Sequence, residues 1–408
     1  MIQSRLALLL ISAGAGTLCF AVWDGLLNNF VVENAAFDGE KIGLLHTFRE
    51  IPGFLAFTAV YLILFLREQR LAILSLFLMG FGVFITGHFV SVWGLYLTTL
   101  IMSVGFHYFE TMHLSLALQW FTKDRSPLVF GWIEAVRNIG RVLTYGLLAL
   151  VFTVGLLDYV PAYMLGGAAA MLVAAGCWLL FPQFKAASPQ ISNIVVRPRY
   201  WLYYMLIFLS GARRQIFMVF AVFMLVEKFG LHIEQMLGVL AVNAVVSAAV
   251  GPVAGWVIKR YGERAMLVFE YLGLGIIFVS YALVTSPEIA IGLYFLDHVF
   301  FTLAIGMNSY LKRIAAPEDL AGSAATSFTI NHIAAVALPW PLGLLYVAYG
   351  SGPVFVLGAC IAMASLISAL MIPRHPEPGN ETTGWATGVN KWMCAWVPNW
   401  GKAAHSTQ

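Results

Sequence analysis

Residues Gly105–Gly146 read GFHYFETMHLSLALQWFTKDRSPLVFGWIEAVRNIGRVLTYG. Long apolar runs flank a short charged turn, so the stretch predicts a hairpin of two helices, each long enough to cross a bilayer. Both runs nevertheless carry ionisable side chains, namely His107, Glu110, His113, Glu134, Arg137 and Arg141. Burying a charge in lipid is costly, so such residues are usually retained for pairing or for function. We therefore expect the functional residues to lie beside this hairpin.

The composition excludes an ordinary soluble protein. Of the 408 residues, 60% are hydrophobic and only 11% are charged, whereas a soluble domain carries about 25% charged residues. Apolar segments of about 20 residues, the length that crosses a bilayer as a helix, recur from the N-terminus to Pro373. The alternating pattern of a membrane β-barrel is missing. The chain is predicted to be an all-α integral membrane protein.

Apolar length and interrupting charges divide the chain into twelve predicted transmembrane helices, called spans one to twelve below. Their approximate limits are 6–30, 42–66, 71–92, 95–121, 127–155, 160–182, 200–226, 234–258, 264–285, 289–311, 320–348 and 353–373. Loops rich in arginine and lysine alternate with loops that are mainly acidic. Because cytoplasmic loops carry the excess of basic residues, we expect both termini in the cytoplasm, with the protein in a bacterial inner (plasma) membrane.

The longest polar connection between spans lies at the middle of the chain and separates six spans from six. The two sets echo each other at a nearly constant offset, so that Asn138 in span five matches Asn331 in span eleven. Parallel six-helix repeats are typical of a two-half transporter. The expected organisation is an N-terminal half, a central cytoplasmic loop, a C-terminal half and a disordered cytoplasmic tail, at residues 1–182, 183–199, 200–373 and 374–408.

A family resemblance lies in the loop between spans eight and nine, Gly255-Trp-Val-Ile-Lys-Arg-Tyr-Gly-Glu-Arg264. It resembles the cytoplasmic loop motif of the major facilitator superfamily, which has a glycine, an acidic-basic pair, and then glycine and basic residues. The matching residues, which are the candidate gating-loop residues, are Gly255, Arg260, Gly262 and Arg264. Lys259 stands where the family usually has Asp, and the first-half loop keeps only Arg67–Arg70 of the pattern.

The resemblance implies twelve helices in two pseudo-symmetric halves that rock around a central site by alternating access. It also implies that spans three, six, nine and twelve face lipid while the other eight surround a cavity. Spans six and twelve contain no charged residue, span three has only His88, and span nine has Glu270 near its expected cytoplasmic start. The charges of this sequence therefore avoid the positions that the resemblance places against lipid.

Helix rise predicts which groups of the hairpin lie at one depth. If its turn centres near residue 124, a rise of about 1.5 Å per residue places Glu110 level with Arg137 and Asn138. His107 then lies level with Arg141. These groups are expected near the middle of the membrane.

Arginines near mid-membrane predict an anionic solute, because the planar guanidinium donates two hydrogen bonds to a carboxylate or phosphate and stays charged at any relevant pH. The candidate substrate-binding residues are Arg49, Arg137, Arg141, Arg213, Arg214, Asn138, Asn331 and His332. Buried carboxylates and histidines could carry a coupling proton or pair with these arginines. The candidates for that role are Asp24, Glu50, Glu110, Glu134, Asp297, His107 and His298.

Several alternatives remain open. The charges deep in the spans balance, so all of them could be fixed structural pairs. Histidines within the spans suit a divalent metal exporter, although neighbouring arginines would repel a cation and His107, Glu110 and His113 diverge around their helix. A drug exporter of the same fold is less favoured, because the resemblance implies a Gly-Pro signature in span five of such exporters and residues 140–155 contain no proline. A scaffold or sensor that transports nothing is the alternative of another class.

No enzyme is expected. The sequence contains no nucleophile motif or phosphate-binding loop, and its four cysteines form no CxxC or CxH motif. We predict no metal site and no cofactor, and a net charge of +3 is too small to indicate nucleic acid. The expected partners are a small solute, protons and the lipid bilayer, with the chain acting as a monomer.

Overall fold

A computed structural model describes residues 2–122, 125–184, 196–316 and 319–389. The helices of the first six spans are Ile2–Ala35, Gly39–Phe54, Ala59–Leu62, Glu68–Thr86, Val92–Trp120, Ser126–Thr153 and Tyr159–Leu180. The helices of the last six spans are Trp201–Gln215, Val222–Glu227, Ile233–Leu283, Pro287–Thr302, Ile305–Ile314, Leu320–Ala337, Pro339–Tyr349 and Ser351–Leu370. The described residues therefore form an all-helical protein, in which the only β-type pairing is an isolated bridge between Glu377 and Asn380.

The described residues contain the twelve predicted spans. Ten helical segments are long and apolar enough to cross a membrane. One of these, Ile233–Leu283, is two helices joined at Gly262, and it therefore counts as spans eight and nine. Span two is broken into Gly39–Phe54, Leu55–Thr58 and Ala59–Leu62, pieces too short to be counted as one helix. The ten segments, one more for the helix divided at Gly262, and one more for span two give twelve spans.

Local sequence explains where the helices break. Gly262 has φ 81° and ψ 167°, a left-handed conformation that glycine adopts without steric cost, so spans eight and nine separate there. Pro52 lies just before the 3₁₀ turn of span two, and it removes one helical hydrogen bond. Span eleven breaks at Leu338, before Pro339. Span eight is different, because its helix continues through Pro252 although proline usually interrupts a helix.

Span seven changes helix type in its second half. A 3₁₀ turn at Pro198–Tyr200 leads into the α-helix Trp201–Gln215. The residues Ile216–Ala221 are π-helical, and the α-helix resumes at Val222–Glu227. A π segment inserts one extra residue per turn and often occurs near functional positions.

The chain divides into two compact units. The first contains residues 1–191 and 222–245, and the second contains residues 192–221 and 246–408. The end of span seven and the start of span eight thus belong to the first unit. In that unit the amide of Asn29 donates to the carbonyl oxygen of Leu231 at 2.8 Å, which ties this connection to span one.

Small residues allow the closest helix contacts of the first unit. Span three packs most extensively against spans four and six. A Cβ on Gly82 would overlap the backbone of Met102, and a Cβ on Gly105 would overlap the backbone of Met79. Since lipid provides little hydrophobic drive between membrane helices, this close backbone approach supplies the packing energy.

The second unit is organised around span seven, which packs against spans eleven and twelve. A Cβ on Gly211 would lie 2.6 Å from the backbone oxygen of Asn331, so glycine is required there. Nearer the start of the helix, Tyr203 accepts a hydrogen bond of 2.9 Å from Ser327. Span seven is therefore fixed to span eleven along its first half.

Part of the expected tail packs against the second unit. The hydroxyl of Tyr310, in span ten, donates to the carbonyl oxygen of Glu381, and the backbone N–H of Thr383 donates to the carbonyl oxygen of Met371 at 2.8 Å. Ala386 is fully buried. The rest of the predicted tail, from residue 390 onward, lies outside the described residues.

We expect Gly105→Ala to destabilise the protein, because the new methyl group would push spans three and four apart. The cost of such overpacking is about 1–3 kcal/mol. The measurement is the unfolding temperature of the purified protein in detergent. Gly131→Ala is the matched control, since a Cβ at Gly131 meets nothing within 4 Å. An equal unfolding temperature for both variants would contradict the predicted contact.

Candidate functional site

Three groups of ionisable residues lie deep in the spans. Two groups lie in the first unit, and we call them the span-two cluster (Asp24, Arg49, Glu50, His107 and Tyr145) and the hairpin pair (Glu110 and Arg137). The third group lies in the second unit and is called the span-seven cluster (Arg213, Glu270, Tyr271, Tyr281 and Asp297).

The centre of the span-two cluster is an ion pair between consecutive residues. The guanidinium of Arg49 donates to the carboxylate of Glu50, and both side chains are buried. Ser103, in span four, donates its hydroxyl to the backbone oxygen of Arg49. His107, one turn further along span four, has Nδ1 at 3.0 Å from the Ser103 hydroxyl. Span four thus contacts span two through Ser103, and His107 bonds to that serine.

Asp24 extends this cluster into span one. Its carboxylate accepts a hydrogen bond of 3.1 Å from the hydroxyl of Tyr145 in span five. The positive charges of Arg49 and Arg141 lie within electrostatic range of the same carboxylate. The cluster therefore joins polar groups of spans one, two, four and five, which the sequence predicted only as separate candidates.

The hairpin pair realises the depth match predicted from the sequence. Arg137 donates through Nη2 to both carboxylate oxygens of Glu110, at 2.9 and 2.8 Å. A weaker contact of 3.5 Å joins the same guanidinium to Glu134. Two carboxylates thus compete for one arginine across spans four and five. This geometry fits both a structural strut and a proton-binding pair.

Arg141 differs from the other arginines of the first unit. Its guanidinium donates to the side-chain oxygen of Asn138 at 3.2 Å. Among the described residues, no carboxylate lies within the 4.0 Å that defines an ion pair. The side chain of Arg141 is not covered by the protein, and it lies on the same helix face as Arg137 and Asn138.

The histidines of span four have separate contacts. His107 Nδ1 contacts Ser103, whereas His113 Nε2 is 3.0 Å from the backbone oxygen of Leu9. Glu110 is bound by Arg137. Glu50 and His107 do offer ligand atoms within 4.8 Å of each other, but the Glu50 carboxylate already forms an ion pair with the Arg49 guanidinium. A cation bound there would be repelled by that guanidinium.

The side chains of the span-seven cluster are almost completely buried. Arg213, Glu270 and Asp297 have relative exposures of 2%, 0% and 1%. The guanidinium of Arg213 donates to Glu270 at 2.8 Å and lies 4.8 Å from the centre of the Tyr271 ring. Asp297 interacts electrostatically with both Arg213 and Glu270. Spans seven, nine and ten thus meet at a buried group of charges.

Glu270 is the functional candidate that sequence reasoning missed. The family resemblance implies that span nine faces lipid, and the sequence places Glu270 near the expected cytoplasmic start of that span. Glu270 lies eight positions after the junction at Gly262, a rise of about 12 Å along a helix. That depth was the available signal, because a glutamate so far inside an outer helix needs a partner on the protein side.

The remaining second-unit candidates mainly bond to their own helices. His298 Nδ1 lies 3.0 Å from the carbonyl of Tyr294, and His332 Nδ1 lies 2.8 Å from that of Phe328. Asn331 donates weakly, at 3.5 Å, to a backbone carbonyl of span seven. Arg214 follows Arg213 and is half-buried. Substrate roles for these residues stay predictions.

The gating loop contains an acid that the motif comparison did not use. Glu263, between Gly262 and Arg264, is buried and accepts hydrogen bonds from Ser309 at 2.7 Å and from Arg313. It thereby ties the loop to the end of span ten. Arg260 stacks over Trp256, with its guanidinium carbon 5.7 Å from the ring centre. A Cβ on Gly255 would meet nothing within 4 Å.

A second charged contact lies at the ends of spans seven and eleven. Arg197 donates to both carboxylate oxygens of Asp319 at 2.8–3.1 Å, and Arg199 and Tyr200 donate to it as well. Burial alone would raise the pKa of Asp319 above its ordinary value of 3.8. The hydrogen bonds and positive charge of Arg197 outweigh burial and lower the pKa.

Membrane-crossing helices with charged clusters buried in both units define a multi-pass membrane transporter. The family model of the Major Facilitator Superfamily matches residues 6–311. The chain therefore belongs to the major facilitator superfamily. A search of curated protein sequences gives no match.

Solved structures support the same fold. The nucleoside transporter NupG is 14% identical with a TM-score of 0.73, over 90% of this chain and 98% of that one. A bacterial homologue of the human lysosomal transporter Spinster, in an inward-facing and occupied conformation, is 12% identical with a TM-score of 0.65, over 96% of each chain. At these identities the similarity shows the fold alone.

The hairpin pair allows a test of structural pairing. We expect Glu110→Gln to lower the free energy of unfolding by about 1–3 kcal/mol, because a partly buried arginine loses its main charged acceptor. Adding Arg137→Gln should recover part of this loss, since the partly buried guanidinium left without Glu110 is then removed. Unfolding temperatures of the two single variants and the double variant give the coupling energy. Strictly additive losses would show that the pair contributes no interaction to stability.

The pH dependence of the Asp319 contact has a definite sign. Its pKa is lower in the folded protein than its ordinary value of 3.8, so the stabilisation is complete above that value and is lost as pH falls through the lowered pKa. Asp319→Asn should cost about 1–3 kcal/mol near neutral pH. The unfolding temperature gap between wild type and variant should close as the solution becomes acidic. Glu377→Gln, at an exposed acid, is the control, and a gap independent of pH would refute this account.

Proposed function

We propose that this protein is a secondary active transporter that moves a small anionic solute by alternating access, coupled to protons. In this proposal a single chain is the functional unit. The protein lies in a bacterial inner (plasma) membrane, and both of its termini are on the cytoplasmic side. The positive-inside distribution of loop arginines and lysines supports that orientation.

The observation that carries the anionic substrate is Arg141. Arg49, Arg137 and Arg213 each bind a carboxylate of the protein. Arg141 has only the neutral Asn138 oxygen as its described side-chain partner. A guanidinium fork held by an amide and lacking a carboxylate is suited to bind a carboxylate or phosphate of a solute. Arg141 is therefore the primary substrate residue of the proposal, with Asn138 as its positioning partner.

The coupling to protons is supported by the balance of buried charge. The sequence places five arginines against five acids deep in the spans, Asp24, Glu50, Glu110, Glu134 and Asp297. The buried Glu270 adds a sixth acid. Because an extra negative charge is costly in a low-dielectric interior, the cluster with the extra acid favours binding a proton.

The engaged donors of span four weaken the metal alternative. His107, Glu110 and His113 each bind a different group of the protein. A metal exporter would need several such donors to turn toward one ion. The nucleoside transporter among the similar structures shares the fold only, and this does not assign its solute to the present chain. Nucleosides are nevertheless included among the compounds to screen.

The breaks in the helices supply positions for the motion that alternating access requires. Span two bends after Pro52, span eleven breaks at Leu338, and span seven contains the π segment Ile216–Ala221. Interrupted helices commonly lie at the gates of transporters. We propose that these breaks are the hinges of the cycle.

The test of the proposed function is transport by the purified protein in liposomes. A panel of organic anions, nucleosides, divalent metals and lipophilic cations is first screened for thermal stabilisation, because a ligand bound by the folded state raises its stability. Uptake of the stabilising compound is then measured with and without a pH gradient. Stabilisation and uptake of cations alone would overturn the proposal.

Arg141→Gln should lower the affinity for an anionic solute about 10-fold or more, equivalent to roughly 1.4 kcal/mol. Arg141→Lys should recover only part, since it keeps the charge but loses the fork. Arg125→Gln, at the exposed start of the same span, is the matched control and should transport normally. Equal affinities for Arg141→Gln and the control would exclude Arg141 from the site.

A further inference from the structure

The span-seven cluster has the properties of a proton-binding site within one unit. Its acids come from two different helices, Glu270 from span nine and Asp297 from span ten. Arg213 reaches Glu270 from span seven at 2.8 Å. All three residues are at most 2% exposed, so neither carboxylate is balanced by bulk water.

The cluster contains polar atoms that the described protein does not satisfy. One carboxylate oxygen of Glu270, one of Asp297, and the Nε and Nη1 atoms of Arg213 are buried without a hydrogen-bond partner. The hydroxyl of Tyr281 is also buried and unpartnered. Buried polar groups are nearly always hydrogen-bonded. Several unsatisfied atoms in one place therefore leave the cluster with hydrogen-bonding capacity for a proton or a water molecule.

The surrounding helices supply no second cation that pairs with these acids in the described contacts. In span ten, His298 Nδ1 is held by the carbonyl of Tyr294 and its ring packs on Phe217. In span eleven, His332 Nδ1 is held by Phe328. Arg214 lies one position after Arg213, about 100° around the helix.

Span twelve contributes an apolar wall. Phe355 stacks on the ring of Tyr281 with a centroid distance of 4.9 Å. Residues 351–370 contain no aspartate, glutamate, histidine, lysine or arginine. The charges at the centre of the cluster are thus two carboxylates and the Arg213 guanidinium, a net charge of −1 when both acids are ionised.

We propose that Glu270 and Asp297 together hold one exchangeable proton beside Arg213, and that this is the coupling site of the transport cycle. The second part rests on the proposed function, whereas the first does not. One proton binds to one carboxylate oxygen and changes the cluster charge from −1 to 0. The resulting carboxylic acid gains a donor, and the other carboxylate remains paired with Arg213.

Arg213 excludes a metal cation as the main occupant. A bound Na⁺ would also bring the net charge of the two carboxylates and the guanidinium to zero. It would, however, lie close to a fixed positive charge and would need several oxygen ligands. A proton needs a single oxygen and can move between two acids. The tyrosine hydroxyls of Tyr271 and Tyr281 can donate to whichever carboxylate stays ionised.

Sharing gives a signature that an isolated acid lacks. If either acid is replaced by its amide, the remaining carboxylate can pair with Arg213 and the cluster is neutral without a proton. Each single variant should therefore lose the whole proton-binding signal, and the double variant should lose no more. Independent acids would instead lose their signals separately.

The experiment is infrared difference spectroscopy of the full chain in lipid while pH is varied between about 5 and 9. The signal is the carbonyl stretch of a protonated carboxyl group, compared among wild type, Glu270→Gln, Asp297→Asn and the double variant. Glu288→Gln, an exposed glutamate at the start of span ten, is the matched control. Unfolding temperatures verify that each variant folds. The variants Glu270→Asp and Asp297→Glu keep a carboxylate of different length at each position and test whether the band that the amide variants lose is then retained.

We expect a protonated band in wild type and in the control, and its complete loss in each single variant. A band that survives both single variants, or that is missing from wild type throughout the titration, overturns the shared site. A band that responds to Na⁺ rather than to pH also overturns it. If the shared site is present but a pH gradient drives no uptake, the coupling role fails while the proton site stands. Gradient-driven uptake that is unchanged in both variants would place the coupling proton elsewhere without affecting the proposed function.

Discussion

The cost of holding a charge away from water is the constraint on which the rest of this structure depends. In hydrocarbon an uncompensated guanidinium or carboxylate is strongly disfavoured, so each buried charge needs a partner. Arg137 and Glu110 join spans four and five, and Arg213 and Glu270 join spans seven and nine. These pairs fix where helices meet. They also leave a few polar groups with no complete set of partners, and those groups are where transport chemistry can occur.

Much of the fold follows from the sequence because the membrane makes its pattern simple. Apolar length locates the spans, and the glycines and prolines at Gly262, Pro52 and Pro339 mark most of the breaks. Pro252 shows the limit of that rule. Its helix continues, because neighbouring groups in a membrane helix can satisfy a freed carbonyl. Helix rise was sufficient to predict the Glu110 and Arg137 contact, since both residues flank one short turn.

The candidate site was harder to predict because its partners are far apart in the chain. Periodicity gives the face of a helix but not which other helix it meets, and it could not show that Glu270 contacts Arg213 across 57 residues. Family resemblance did not identify this contact, since it placed span nine on the outside of the bundle and gave no partner for Glu270. Glu263 and Asp319 were missed for a related reason, because their partners lie at the ends of other spans.

The packed segment after span twelve has a practical consequence for work on this protein. Composition would suggest that everything beyond Pro373 can be removed or replaced by an affinity tag. The carbonyl oxygen of Glu381, however, accepts a hydrogen bond from the hydroxyl of Tyr310, which is itself fully buried in span ten. A fusion that starts at residue 374 would leave that phenol buried without an acceptor. Reporter domains are better joined beyond Val389, where the described segment ends.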